Sequence, residues 1–368
     1  MKLRYKILGA GVILLAIALL SLMLVLSHDS PCGAAPPLAE KADVMKSIVR
    51  RCYGSTEVLK LETIEKPTPA DNEVLVKVHA ASVNPLDWHY VRGTPYLVRT
   101  DSGIGTPNNP RIGVDFAGTV EAVGRNVTRL KPGDDVFGGK FGAFAEYVSV
   151  RADRAVVLKP TNLTFEQAAA VPIAAITALQ ALRDKGRIQA GQKVLINGAS
   201  GGVGTFAVQI ARTYGAEVTG VCSTRNVQLV RSIGADHVID YTREDYTQGT
   251  QHYDLIIDTV GSHSLLENRR VLNANGIFVI VGGPSDGLWI GPFVTPIEGL
   301  MLSPFVSQKF LPFLAELDQK DLAVLRDLMQ AGKVTPVIDR RYSLSEVPAA
   351  IRYVEEGHAR GKVVIDVQ

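Results

Sequence analysis

The stretch from Val194 to Ala211 constrains this chain more than any other. Val194-Leu195-Ile196-Asn197 is an apolar, β-forming run, Gly198-Ala199-Ser200-Gly201-Gly202-Val203-Gly204 breaks it with glycines, and an Ala/Val/Ile-rich helical pattern follows. A strand that passes through a glycine-rich turn straight into a helix is the plan of a dinucleotide-binding βα unit. One glycine makes the tight turn, one lets a pyrophosphate approach the backbone, and Gly204 lets helix and strand pack closely. Free N–H groups at the helix start then face the anion. The spacing reads Ala199-x-Gly201-x-x-Gly204, so Ala199, Ser200, Gly201, Gly202, Val203 and Gly204 are the candidate cofactor-binding residues of the turn.

With 368 residues the chain has room for two domains with separate cores. Its 39 basic and 37 acidic side chains nearly cancel, which gives no basic field for a nucleic acid. Cys32, Cys52 and Cys222 are scattered, without C-x-x-C spacing, and are expected to be three ordinary thiols rather than a disulfide framework or a zinc site.

The N-terminus is of a different kind. Residues 7–26 are uninterruptedly apolar or small behind Lys2, Arg4 and Lys6. About twenty helical residues span the roughly 30 Å of a bilayer core. The run is longer than the ~7–15 apolar residues of a secretory signal. It reads as an uncleaved single-pass membrane anchor, with a cleaved signal as the alternative. From His28 to Ala42 the composition turns to Pro, Ala, Gly and charge, which reads as a linker. Basic residues precede the run and only Lys41 follows closely, so the charge rule places the body outside the cytoplasm. A nicotinamide-dependent enzyme would draw on the cytoplasmic pool instead.

From Met45 short apolar alternations are broken by Gly, Pro and Asp, as in a mostly antiparallel, barrel-like region. Ala81-Ser82-Val83-Asn84-Pro85-Leu86-Asp87, Gly113-Val114-Asp115-Phe116-Ala117-Gly118, Lys131-Pro132-Gly133-Asp134, Ala143-Phe144-Ala145-Glu146-Tyr147 and then the glycine turn follow in that order. This succession resembles the medium-chain dehydrogenase/reductase superfamily, and within it the zinc-free quinone oxidoreductase (zeta-crystallin-like) and enoyl-reductase branch. The resemblance implies an α/β fold in which a GroES-like, β-rich catalytic domain is interrupted by a Rossmann domain with a doubly wound parallel sheet. The expected division is anchor and linker 1–44, catalytic domain 45–171, nucleotide-binding domain 172–310 and returning catalytic segment 311–368. Zinc-dependent members carry a catalytic cysteine and a four-cysteine lobe. Here Asn84 to Asp87 stands where the former would begin, the lobe is missing, and His89 by itself cannot supply the roughly three ligands of a catalytic zinc. No metal is expected.

Within the nucleotide-binding part, Thr164 and Gln167 have capping-box spacing at the start of a helix. Family position implies that Thr177 approaches the nicotinamide. The strand Glu217 to Cys222 ends in Ser223-Thr224-Arg225-Asn226 with no acid for the ribose hydroxyls of NAD, whereas Ser223 and Arg225 suit a 2′-phosphate. NADPH is therefore the expected cofactor. The resemblance places Tyr241 beside the adenosine phosphate and Lys362, in the final Gly-Lys strand, near the cofactor. Val260, Gly261, Gly282 and Gly283 close two later strands and belong at the nicotinamide ribose, since ligands bind beyond the carboxyl ends of parallel strands. The Pro/Gly-broken stretch 285–310, with Trp289, Phe293 and Phe305, is expected at a homodimer edge, a substrate lid or a membrane-facing surface. Further on, Ser345 is expected to cap a helix bearing Pro348 in its first turn.

The reaction so implied is hydride transfer from NADPH to a quinone or an α,β-unsaturated carbonyl compound. It needs an apolar slot and a hydrogen-bond donor for the developing enolate oxygen. Asn84, Tyr90 and Tyr96 are the candidates for that donor. The competing reading is a membrane-tethered NADPH-binding sensor or scaffold with little turnover.

Overall fold

The computed structural model describes residues 2–283, 287–289, 291 and 294–367, the side chains of residues 2–13 excepted. Two large sheets organise them, beside a two-stranded antiparallel sheet of Val44–Val49 and Lys60–Glu65. The first has its strands in the order Ile338–Ser343, Lys362–Asp366, Glu73–Val83, Asp115–Val123, Asp135–Gly139, Val156–Leu158, with Tyr147–Arg151 also on Glu73–Val83. The long strand Glu73–Val83 is shared: residues 73–77 pair with Tyr147–Arg151 and residues 80–83 pair with the C-terminal strand. Val74, Val76 and Val78 point inward from it onto Phe116, Val136 and Val148, the alternation expected of a half-buried strand.

The second sheet is wholly parallel. Its order is His237–Asp240, Glu217–Cys222, Lys193–Asn197, Tyr253–Asp258, Leu272–Ile280, Lys309–Pro312. The chain starts at the central strand, winds outward to one edge, then returns to wind outward to the other. The topological switch point therefore lies between Lys193–Asn197 and Tyr253–Asp258, where such sheets bind ligands. Val194, Leu195 and Ile196 are completely buried because helices cover both faces.

The crossover between the sheets opens as expected. Thr164 Oγ1 accepts the Gln167 N–H at 3.3 Å and Gln167 Oε1 accepts the Thr164 N–H at 3.0 Å. The helix Pro172–Gln180 then runs buried between the two domains. At the other end of the chain the cap lies two residues earlier than expected. Ser343 rather than Ser345 makes a box with Glu346, because a 3-10 turn, Leu344–Glu346, precedes the helix Val347–Glu355.

Two expectations for the N-terminus change. A helix does cover Lys2–Ser27, but among the described residues no helix is long and apolar enough to cross a membrane. Residues 7–13 of the expected span lie outside the described side chains. The segment after the helix is not a free linker. The buried Arg99 guanidinium donates to the carbonyls of Leu26, His28 and Gly93 at 2.8–3.0 Å and pairs with Asp29 at 2.8 Å. Ser30 N–H bonds the Gly105 carbonyl at 3.1 Å. Cys32 is joined to Cys52 in a disulfide, with Cα atoms 4.6 Å apart, so two of the three expected free thiols are paired. Their spacing carries no motif; the Arg99 contacts fold the strap so that Cys32 reaches Cys52. Cys222 alone stays free, and it is buried.

Replacing Arg99 by Met keeps the apolar stem and takes the donor from the Leu26, His28 and Gly93 carbonyls. Stability should fall by about 3 kcal/mol, read as a lower urea midpoint with an unchanged slope. Deleting residues 1–32 should reproduce most of that loss, whereas a free linker would make the deletion neutral.

Candidate active site at the domain seam

The glycine turn divides its tasks sharply. Gly198 has φ +82°, and a Cβ there would lie 2.3 Å from Thr259 Oγ1, so Gly198, outside the expected pattern, makes the turn. A Cβ on Gly204 would lie 2.1 Å from the Gly198 carbonyl oxygen, so Gly204 serves helix–strand packing as expected. At Gly201 a Cβ meets only the Gly198 oxygen at 3.4 Å, so a side chain would fit the protein yet fill the space in front of the turn. Gly201 precedes the helix Gly202–Thr213 without any side-chain cap, which leaves the first N–H groups, including those of Gly202 and Val203, for an anion. The Ala199 methyl is fully buried, and a Cβ on Gly220 would meet it at 3.0 Å.

Asn226, which the sequence reading did not single out, ties the turn to the next strand end. Its Nδ2 donates to Ser200 Oγ at 3.0 Å and to Ser223 Oγ at 3.2 Å. Both hydroxyls thus accept from the amide and keep their protons for a ligand. Arg225 donates to the His358 carbonyl at 3.0 Å and has no carboxylate partner among the described residues. Asp240, at the end of the neighbouring strand, is engaged by the Thr224 and Thr242 hydroxyls at 2.6 and 2.8 Å. Tyr241 is exposed, with its N–H on the Cys222 carbonyl. This corner combines serine hydroxyls, a guanidinium without a carboxylate partner among the described residues and an open turn.

On the crossover helix, Thr177 donates its hydroxyl proton to the Ile173 carbonyl at 2.7 Å, so towards a ligand it acts as an acceptor. The buried Asp258 accepts from Asn197 Nδ2 and from the N–H groups of Val260 and Gly261 at 2.9–3.0 Å, fixing the turn across the switch point. Burial holds its carboxyl above the usual range. Gly282 lies against this turn, where a Cβ would come within 2.3 Å of the Thr259 oxygen, and Gly283 follows it at the strand's end.

Asn84 and Lys362 are brought together with the turn. Lys362 is buried: its Nζ lies 2.5 Å from Asn84 Oδ1, 3.1 Å from the Val83 carbonyl and 3.4 Å from Asp115 Oδ2. Asp115 in turn accepts Ser82 Oγ at 2.9 Å and Asn84 Nδ2 at 2.8 Å on Oδ2, and the Ile173 N–H at 3.0 Å on Oδ1. Gly361 pairs with Gly201, and a Cβ on Gly202 would sit 3.2 Å from Lys362 Cδ. Asp87 completes the cluster by accepting the Asn84 backbone N–H at 2.8 Å. Burial pushes the Asp87 carboxyl up to about 7, against the opposing hydrogen bond from Asn84.

The two tyrosines engage other partners. Tyr90 packs on Phe141 and reaches Asp101 at 3.4 Å. The Tyr96 ring lies between the Arg99 guanidinium at 4.7 Å and Trp289 at 4.8 Å, and its N–H bonds the Leu288 carbonyl at 2.7 Å. Leu288 and Trp289 thus contact the Tyr96 segment of their own chain, while Leu300, Met301 and Phe305 of the same stretch are exposed; Ser285 and Phe293 lie outside the described residues. Among the described residues no three His, Cys, Asp or Glu side chains converge as metal ligands.

Comparison with known proteins shows the family to which the chain belongs. Residues 70–161 match the family model described as alcohol dehydrogenase GroES-like domain, and residues 233–365 match the one described as zinc-binding dehydrogenase. The chain is 35% identical over 371 residues to the mitochondrial NAD(P)H oxidoreductase RTN4IP1 of Mus musculus, covering 89% of this chain and 90% of that protein. It is 36% identical over 328 residues to 2-methylene-furan-3-one reductase of Solanum lycopersicum, covering 85% and 76%. The solved quinone oxidoreductase of Coxiella burnetii superposes with a TM-score of 0.77 at 31% identity, over 89% of this chain and all of that one.

A raised carboxyl predicts a sign for the pH dependence of stability. Folded Asp87 keeps its proton to about pH 7, whereas the unfolded group loses it near 4. The wild type should therefore lose stability as pH rises through that window. Asp87→Asn, which still accepts from Asn84, should abolish this component; equal melting-temperature slopes for both proteins between pH 5 and 8 would remove the assignment.

Proposed function

Because the chain belongs to the medium-chain dehydrogenase/reductase superfamily, we propose that this oxidoreductase uses NADPH to reduce a quinone or an α,β-unsaturated carbonyl compound. The observation that carries the reading is the Asn84 amide. It is buried one lysine side chain away from the cofactor turn, at a seam without a metal-ligand cluster among the described residues. The activities named for its relatives, on a quinone and on a methylene-furanone, are of this class.

NADPH, when bound, supplies the hydride, and this chain's residues do the rest. The helix N-terminus behind Gly201, Gly202, Val203 and Gly204, with Ser200, binds the pyrophosphate. Ser223 and Arg225 hold the 2′-phosphate, with Tyr241 alongside. Thr177, Val260, Gly261, Gly282 and Gly283 line the nicotinamide end. Asn84 directs an N–H at the substrate oxygen, where negative charge grows during reduction. Tyr90 and Tyr96 are the alternative donors, and the contacts of Tyr96 with Arg99 and Trp289 suit a wall of the substrate slot better than a proton donor. Residues 45–171 and 311–368 make the catalytic domain, and residues 172–310 the nucleotide-binding domain. The Cys32–Cys52 disulfide supports an oxidising compartment for the body.

Purified protein should oxidise NADPH steadily with 9,10-phenanthrenequinone, 1,2-naphthoquinone or a 2-enal, without added metal. Tight NADPH binding with no turnover across this panel would favour the sensor reading. Arg225→Ala should raise KM for NADPH by about tenfold or more, the worth of a charge-assisted phosphate bond, and leave KM for NADH almost unmoved.

A further inference from the structure

We infer that Lys362 is a positioning residue which, with Asp115, fixes the direction in which the Asn84 amide presents its N–H. The inference rests on the reading of Asn84 as the donor to the substrate oxygen.

An asparagine amide has nearly equal ends, and only its partners decide which end faces which way. Here the partners leave no choice. The Lys362 ammonium has donors only, so the end 2.5 Å from it must be Oδ1. The Asp115 carboxylate accepts at 2.8 Å, so the end facing it must be Nδ2. A flipped amide would set N–H against ammonium and oxygen against carboxylate, two repulsive contacts in place of two attractive ones. With one Nδ2 proton on Asp115, the second has no acceptor among the described residues and remains for a substrate oxygen. The ammonium on Oδ1 also polarises the amide and strengthens its remaining donor.

The clamp is itself held rigidly. Asp115 is fixed by Ser82 Oγ and by the Ile173 N–H of the crossover helix. Lys362 is placed by Gly361, whose φ of +104° and pairing with Gly201 tie the start of the last strand to the cofactor turn. The Lys362 stem passes over Gly202 while its charge turns away from the turn and into the cluster. Such a geometry distinguishes Lys362 from a phosphate ligand, which would point its ammonium at the anion.

Removing Lys362 alone would strand the buried Asp115 carboxylate, so the charge-neutral pair Lys362→Met/Asp115→Asn is the test variant. Lys362→Gln/Asp115→Asn is its companion, since the glutamine amide keeps a donor for Asn84. For each, kcat with 9,10-phenanthrenequinone, the NADPH dissociation constant from nucleotide fluorescence, and the melting temperature are measured. The Met pair should bind NADPH as the wild type does and lose about 10²-fold in kcat, the scale of one lost oxyanion donor; the Gln pair should recover part of it. Asn84→Ala should lose a similar factor, and adding the Met pair to it should cost nothing further, because Lys362 acts through Asn84. Multiplicative losses in that combination overturn the inference. So does weaker NADPH binding with kcat retained, and so does failure of both pairs to fold, which would make the cluster purely structural. If Asn84→Ala keeps full kcat, the donor reading itself falls and takes this inference with it; if only the Lys362 pairs keep kcat, the inference falls alone.

Discussion

The Asp115 carboxylate is the point at which three distant parts of the chain meet. It takes hydrogen bonds from Ser82 and Asn84 at the end of one catalytic strand, from Ile173 at the start of the crossover helix and from Lys362 at the start of the last strand. Burying a charge this completely costs several kcal/mol unless partners surround it. Ser82, Asn84 and Lys362 belong to the same sheet as Asp115, and Ile173 opens the crossover helix, so the carboxylate pins that helix to the sheet. The two sheets themselves share one apolar cluster, in which Ala80, Ala117 and Phe137 pack with Val194, Ile196 and Ile257.

A second buried charge organises the outer side of the site. Arg99 gathers the carbonyls of Leu26, His28 and Gly93 and stacks between Tyr53 and Tyr96. Tyr96 in turn is bonded to Leu288 and packs on Trp289, beyond Gly282 and Gly283 of the parallel-sheet part. A continuous set of contacts thus runs from the N-terminal strap to the parallel-sheet side of the seam. A disulfide anchors its outer end, so the strap is part of the first folded unit although its composition is that of a linker.

The elements that could be read from the sequence are those whose causes are local. The Thr164–Gln167 box, the helix from Gly202 and the parallel strands around Val194 and Leu255 follow from caps, turns and periodicity within a few residues. Gly204 was legible for the same reason. The misplacements are equally local: Gly198 makes the turn one position before the expected pattern, and a 3-10 turn moves the cap from Ser345 to Ser343. Asn226 could have been suspected as an asparagine beside Ser223, but its reach to Ser200 depends on two strands lying side by side.

By itself the sequence determined the order of the elements, the parallel and antiparallel character of the two large sheets and the location of the glycine turn. Each of these is dictated by residues close together in the chain, through glycine's backbone freedom, apolar periodicity and capping. Only the tertiary structure decided what the charged and reactive side chains do. Lys362 reads as a solvated or cofactor-facing lysine until a strand 279 residues away places the Val83 carbonyl against it. Cys32 reads as a lone thiol until Arg99 folds the strap towards Cys52. Long-range electrostatics and pairing leave no periodic trace in a sequence, because their energy depends on distances that exist only after the sheets have closed on one another.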